Sequence, residues 1–407
     1  MDYLVGAVIL ITLIGVAVGR FPALHMNRAT IAWVGAVALI LLGVLDLEAA
    51  FHVIDWHTIA LLLSMMILNA NLRLAGFFSI VVVWVQRRAR TPRRLLAFIL
   101  LVSGSLSAIF LNDTIAVVMT PLVIELARSW QRNPIPYLLG LAMAANIGSV
   151  AAITGNPQNM LIGLSSGIPF IEFSAYQIPV AAGGLIIAWV CLVLMFRSEL
   201  SGTFNAAPEQ TVAVEVKRPL LRKSLIAVAV LLAGLLGGLP IALAAMLSAS
   251  IVLITRRIQP ERVFGEVDWG LLVFFCGLFV VTGTIEASRS GEILANRVPA
   301  LLDAGIPLFT FTAVVLSNLV SNVPAVMLFR PYIPDLADPH SAWLMLAMAT
   351  TFAGNLTLLG SVANLIVAES AARLNVRLTF LVYLKAGIPV TVLSLLWGCL
   401  WLAWVTG

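Results

Sequence analysis

The sequence predicts an all-α polytopic membrane protein built from two inverted repeats, each holding a re-entrant hairpin and a broken transmembrane helix. Three observations predict this. Of 407 residues, 61% are hydrophobic and only 11% charged, where a soluble domain carries about 25% charged residues. Apolar stretches of about 20 residues, the length that crosses a bilayer as a helix, recur along the whole chain. Two apolar stretches, LSAIFLNDTIAVVMTPL at 106–122 and LSNLVSNVPAVML at 316–328, are interrupted by polar residues. A polar break at membrane depth is costly unless it is buried in protein or lines a cavity. Paired breaks in the two halves of an apolar chain mark the binding site of a secondary transporter. A β-barrel is excluded because alternation with period two is absent.

Taken in order, spans are expected at 3–19, 29–45 and 57–76. An interfacial stretch, 77–86, then precedes the basic run Arg87, Arg88, Arg90, Arg93 and Arg94. The interrupted segments 95–128 and 137–167 and a span at 176–196 complete a first repeat, 1–196. Residues 197–223, with Glu209, Glu215, Lys217, Arg218, Arg222 and Lys223, form the one long polar stretch and read as a cytoplasmic linker. A second repeat, 224–407, holds spans at 224–238, 241–255 and 269–287, the interrupted segments 307–328 and 341–370, and a last span at 379–404. The first segment carries Asp2 where a signal peptide has a basic stretch, so it reads as a helix. Cys191, Cys276 and Cys399 lie far apart in apolar runs and suggest packing rather than a disulfide framework or a metal site. No cofactor is expected.

The halves share anchors in the same order. Val53-Ile54-Asp55-Trp56 matches Glu266-Val267-Asp268-Trp269, and Leu106-Ser107 through Asn112 matches Leu316-Ser317 through Asn322. Leu141-Ala142-Met143-Ala144 matches Leu346-Ala347-Met348-Ala349, and Gly155 and Asn159 match Gly360 and Asn364. Charge gives the orientation. The net charge of +5 sits in loops, which is a topology signal and not a nucleic-acid one. Arg93 and Arg94 precede the first interrupted segment and Arg128 and Arg132 follow it, so both ends belong in the cytoplasm. The segment should enter, turn at Asn112–Thr114 near the midplane and leave on the same side. The second hairpin, flanked by Asp303, Arg330, Asp335 and Asp338, then falls outside. So do both termini and, of the 24 Lys and Arg, only Arg289, Arg297 and Arg330. The expected location is a bacterial-type inner membrane.

The second break of each half reads Thr154-Gly155-Asn156-Pro157-Gln158-Asn159 and Leu359-Gly360-Ser361-Val362-Ala363-Asn364. Glycine lets the helix break, Asn156 or Ser361 suits the N-cap of the next half-helix, and Pro157 suits its first position. Half-helix N-termini carry partial positive charge and free N–H groups. Two tips and two breaks meeting at the midplane would place Asn112, Asp113, Thr114, Asn156, Asn159, Ser321, Asn322, Asn355, Thr357, Ser361 and Asn364 around one substrate site. Any one of these reads simply as a helix cap; all of them at repeat-related positions read as a shared site. Asp113 is the one carboxylate at a tip. It reads either as an N-cap or as a proton or cation site, since a carboxyl removed from water holds its proton more tightly. Asp55 and Asp268 stand beside Trp56 and Trp269 and read as interfacial anchors; Arg73 and Glu286 read as snorkelling or paired. Gly163-Leu164-Ser165-Ser166-Gly167 matches the serine-hydrolase pattern without its strand-to-helix setting. No Walker A or H-E-x-x-H motif occurs, so a non-enzymatic carrier is expected, driven by an ion gradient, the solute gradient or a separate ATPase.

These motifs resemble the ion-transporter superfamily, which includes ArsB-type arsenite permeases, NhaD-type sodium/proton antiporters and the more distant dicarboxylate carriers. Asn112-Asp113-Thr114 followed by Thr120-Pro121 resembles its N-D…T-P element. Asn146-Ile147-Gly148 through Asn159 and Gly354-Asn355 through Asn364 are similar to its N-I-G-G…G-D-P-P-N and G-N-G-T-L-I-G-A-S-A-N signatures. The resemblance covers nearly the whole chain. It implies inverted repeats, a midplane site and elevator or rocking transport. Where members carry D-N-V-P and G-D-P-P-N, this chain has Ser321-Asn322-Val323-Pro324 and Asn156. Two carboxylates suited to Na⁺ are absent, and hard cations prefer charged oxygens. No Lys or Arg lies at a tip or break. A site rich in Asn, Ser and Thr suits a neutral polyhydroxy solute such as arsenous acid. The expectation is efflux of arsenite or antimonite across the lipid bilayer, coupled to protons through Asp113 or to membrane potential. The alternatives are a Na⁺/H⁺ antiporter or an inorganic or dicarboxylate anion carrier. A cytosolic ATPase subunit could dock on the basic linker, although those charges read more simply as the topology signal.

Overall fold

The computed structural model describes residues 2–21, 24–204, 216–254, 258–288 and 305–406. Glu209 and Glu215 of the linker, and Arg289, Arg297 and Asp303, lie outside the described residues. The protein is a helical bundle. Its first half contains α1 (Asp2–Val18), α2 (Arg28–Leu41), the short α3 (Leu47–His52), α4 (Trp56–Leu74) and α5 (Phe77–Arg88). It continues with α6 (Pro92–Ile109), α7 (Asn112–Ser129), α8 (Ile135–Ser149), α9 (Pro157–Ser166) and α10 (Phe170–Met195). The second half contains α11 (Arg218–Leu236), α12 (Ile241–Leu253), the short α13 (Pro260–Phe264), α14 (Trp269–Glu286), α15 (Ile306–Val320), α16 (Asn322–Phe329), α17 (Pro339–Ala353), α18 (Val362–Arg373) and α19 (Phe380–Thr406). Two two-residue strands, β1 (Arg20–Phe21) and β2 (Met26–Asn27), pair antiparallel between α1 and α2.

Six of the described helices, α4, α6, α10, α11, α14 and α19, are long and apolar enough to cross a membrane. The chain is a multi-pass membrane protein. Local signals set the helix ends. Asp55 caps α4 by accepting from the His57 and Thr58 amides, and Asp268 caps α14 by accepting from the Leu271 amide. Thr91 caps α6, with Pro92 at its first position. In lipid every backbone polar group needs an internal partner, so such caps fix where each helix begins. At 18 residues each, α6 and α7 are about 27 Å long. That is close to the thickness of a bilayer's hydrocarbon core.

The helices sort into two bundles. In one, α2 packs on α1 and α14, while α12 packs on α4 and α11. In the other, α8 packs on α6, α7 and α10, α17 packs on α15, α16 and α19, and α10 packs on α19. Each pairing has a counterpart in the other half: α6 on α8 answers α15 on α17, α7 on α18 answers α16 on α9, and α2 on α14 answers α12 on α4. The long-range contacts thus repeat with the internal sequence repeat. The bundles meet more sparsely, through α4 on α9, α1 on α15 and α14 on α16.

The α6–α8 crossing depends on glycine. A Cβ on Gly148 would lie 2.1 Å from the Gly104 carbonyl oxygen. Only hydrogen fits there, and the close backbone approach brings the end of α8 against the first helix pair.

Candidate functional site

Both broken helices meet at the middle of the second bundle, and their ends are tied by repeated chemistry. After α8 the chain passes through a 3₁₀ turn, Ile153–Gly155, before α9. The Asn159 amide donates to the carbonyls of Ser149, at 3.0 Å, and Ala152, at 3.3 Å. The Asn364 amide donates to the carbonyls of Gly354, at 2.7 Å, and Thr357, at 3.1 Å. All three residues of each set are related by the same shift of 205 positions. Each Asn supplies donors to carbonyls that the preceding helix leaves open, which lipid could not do.

A second repeated contact runs between the halves. Asn146 on α8 donates to Asn355 Oδ1 at 2.9 Å and to Asn364 Oδ1 at 3.0 Å, and its own Oδ1 accepts from Ser361 at 2.9 Å. The corresponding Thr351 on α17 accepts from Asn156 at 3.2 Å and from Gln158 at 3.3 Å. Asn146 is only 1% exposed. Asn156 caps α9 by accepting from the Asn159 amide, with Pro157 at the first position, as expected. Ser361 occupies the cap of α18 but makes no capping bond; its hydroxyl crosses to Asn146 instead.

The first tip joins this network directly. Phe110 and Leu111 are extended between α6 and α7, and Asn112 donates to Asn146 Oδ1 at 3.3 Å. Leu111, and not Asp113, holds the cap position. This corrects the capping reading of Asp113, which stands in the first turn at the positive end of α7. The second tip is Ser321, with φ 79° and ψ 161°, a region that only glycine occupies without strain. Beside it Ser317 donates to Asn322 Oδ1 at 2.6 Å.

A cavity of about 760 Å³ opens over the two tips. Asn112, Asp113, Gln158, Ser321, Asn322 and Ser361 line it, together with Arg28, Asp268 and Glu369. Asp113 feels attraction from Arg28 and repulsion from Asp268.

Of the expected site residues, Asn112, Asp113, Ser321, Asn322 and Ser361 line this cavity, and Thr114 lines a smaller one beside it. Asn156, Asn159, Asn355 and Asn364 do not line it; they are the buried ties that hold the breaks. Thr357 contributes a backbone carbonyl. Sequence reasoning did not place Asn146, Thr351, Gln158, Arg28 or Asp268. Asn146 stood in plain view inside the quoted Asn146-Ile147-Gly148 motif. Asp268, read as an interfacial anchor, lines the cavity as well as capping α14. The charge expected to be absent from the site is supplied by Arg28, from outside the tips and breaks. Asn112 Oδ1, Asn159 Oδ1 and Asn355 Nδ2 are buried without a partner. Ser165 lies on the last turns of α9, away from any strand-to-helix elbow. Among the described residues no group of three or more His, Cys, Asp or Glu converges to hold a metal.

Two broken helices, two polar tips and a shared cavity between symmetric halves define a secondary active membrane transporter of the broad ion-transporter superfamily, and not an enzyme. More particularly, the chain belongs to the citrate transporter family, CitMHS, which matches residues 8–353. It is 31% identical to the silicon efflux transporter LSI3 of Oryza sativa subsp. japonica, over 91% of each chain. It is also 31% identical to the inner membrane protein YbiR of Escherichia coli, over 85% of this chain and 86% of that one. The crystal structure of the YdaH transporter from Alcanivorax borkumensis is similar in fold, with a TM-score of 0.60 at 17% identity, covering 100% of this chain and 98% of that one.

Proposed function

We propose that the protein exports a small neutral hydroxylated metalloid, arsenous or antimonous acid, across a bacterial-type inner membrane. The observation that carries this reading is the cavity lining, where the amides and hydroxyls of Asn112, Gln158, Ser321, Asn322 and Ser361, beside the Asp113 carboxyl, offer both donors and acceptors. Such groups bind a polyhydroxy solute and release it again. The rice relative, described as a silicon efflux transporter, supports the same solute class. Asp113, the one carboxylate at a tip, is the proposed proton-coupling group.

In this reading α6–α7 and α15–α16 are re-entrant hairpins in inverted repeats, and both termini face outside. Arg93, Arg94, Arg128 and Arg132 hold the open end of the first hairpin in the cytoplasm. The cavity wall at Arg28, Asp268 and Glu369 then faces the cytoplasm, so the substrate enters from the side it is exported from. The sparse contact between the bundles is the seam along which alternating access occurs.

The test is arsenite accumulation in inside-out vesicles, with and without a pH gradient, counting arsenic directly. Saturable uptake that follows the gradient is expected, and Asp113→Asn should remove its dependence on the gradient. Absent uptake, in vesicles whose competence is shown by another carrier, would end the arsenite reading. A second reading, carriage of an organic anion such as citrate, is favoured by the family and by Arg28 in the cavity. Asp113, Asp268 and Glu369 weigh against it, because they place more negative than positive charge on the same wall. Citrate uptake in the same vesicles separates the two.

A further inference from the structure

The start of α11 carries two arginines one helical turn apart, Arg218 and Arg222. Both are exposed, and among the described residues neither has an ion-pair partner. By contrast, Arg73 donates to Glu266 at 2.6 Å, Arg128 donates to the Leu374 carbonyl at 2.7 Å, and the neighbouring Lys223 ammonium donates to the Ile254 carbonyl. A groove of about 400 Å³ runs from the two arginines along α11 past Leu221, Leu225 and Ile226 to Ala229. No other helix lines it, and no carboxylate does. Leu225 and Ile226 are 44% and 49% exposed. The opposite face, Leu220, Ser224, Ala227 and Leu231, is buried, and α11 packs on α12 and α4. The grooved face of this span therefore looks away from the protein, into lipid.

Two unpaired guanidinia at the head of an apolar groove call for an occupant that is anionic at one end and apolar along the rest. The helix rises about 16 Å from Arg218 to Ala229, close to half the hydrocarbon thickness of about 30 Å. The guanidinium fork matches phosphate oxygens two at a time. A second copy of this chain fits poorly, because a two-fold axis along the membrane normal would bring its own arginines to the same depth. We propose that this face binds one anionic phospholipid, with its phosphodiester between Arg218 and Arg222 and an acyl chain along Leu225, Ile226 and Ala229. In the proposed topology α11 starts on the cytoplasmic side, where anionic headgroups attract basic residues. The Lys217 amide donates to the Ala75 carbonyl at 3.2 Å, so the headgroup sits where α11 is tied to the end of α4. The lipid thus belongs to the bundle that does not carry the tips, and its binding is independent of which solute is carried.

The test is native mass spectrometry of the purified full chain, delipidated and then titrated with dioleoyl phosphatidylglycerol or, in parallel, dioleoyl phosphatidylcholine. One phosphatidylglycerol should be retained at concentrations where phosphatidylcholine is not. Replacing both arginines, Arg218→Gln with Arg222→Gln, should weaken its binding by roughly tenfold. Ala229→Trp keeps both charges but fills the groove, and should weaken it as well. Glycerophosphoglycerol, the headgroup without chains, should not compete. Equal retention of the two lipids, or unchanged binding in the double variant, overturns the proposal. Loss in the arginine variant but not in Ala229→Trp overturns it too, since charge alone would then suffice. Competition by the chainless headgroup would replace the lipid with a free phosphodiester, and a dimer mass in place of a lipid adduct would make the face a contact between copies; either result overturns it.

Discussion

The two helix breaks and the two tips face each other across the same cavity, yet they behave differently between the halves. The breaks are near copies. Asn159 and Asn364 hold equivalent carbonyls, and Asn146 and Thr351 receive equivalent donors from the opposite half. The tips have diverged. The first carries Asp113 at the start of an 18-residue helix, whereas the second carries the strained Ser321 before a helix of 8 residues with Val323 in the acidic position. What is kept twice is what any broken helix in lipid requires. What differs is the charge and the backbone strain at the two tips.

The largest expected effects would break this comparison at the ties. Asn159→Leu and Asn364→Leu each leave two buried carbonyls without a donor, at about 1–3 kcal/mol per group. Thermal unfolding in detergent should therefore drop by about 4 kcal/mol in either variant. A much larger loss in one half than the other would mean the breaks are not equivalent. Next comes Gly148→Ala, whose Cβ meets the Gly104 carbonyl and should cost about 3 kcal/mol by overpacking. The reverse change at the corresponding position, Ala353→Gly, should cost only about 1 kcal/mol. Unfolding curves of the pair measure how far the two crossings differ.

The tips are sharpened by a second pair of changes. Ser321→Gly should stabilise the fold by about 1 kcal/mol, because glycine adopts φ 79° without strain. Leu111→Gly at the corresponding place, where φ is −57° and the side chain is buried, should instead destabilise the fold, by about 3–5 kcal/mol. Equal signs would refute the account of the second tip as strained. The smallest effect is expected at the exposed pair of His340 and Glu172, 2.9 Å apart, which joins α17 to α10 and has Ile135 in place of His340 in the other half. Solvent screens it, so His340→Ala should shift stability by less than about 0.5 kcal/mol.

Much of the fold was legible because lipid makes backbone chemistry strict. An apolar run must be a helix, and a polar interruption at depth must be buried or line a cavity. Asn112, Asp113, Ser321, Asn322 and Ser361 could therefore be expected to line a cavity, and Asn156-Pro157 could be read as a helix start. The start of α11 was less legible: it begins at Arg218, inside the polar stretch 197–223, because polar residues continue a helix as readily as they end one.

The sequence by itself determined the membrane class, the internal repeat and the positions of the helix breaks, since these follow from local composition and from the demand that every backbone group be satisfied. The tertiary structure alone decided which side chains meet. Asn146 lies in the last turn of an apolar helix, inside a motif the sequence shows, but nothing local says that its partners are Asn112, Asn355, Ser361 and Asn364. Arg28, Asn69 and Asp268 are remote from the tips in sequence and reach Asp113 only because the two bundles pack face to face. Hydrogen bonds and charge pairs act over a few ångströms of space, and in a bundle of crossed helices that space is set by packing between segments far apart in the chain.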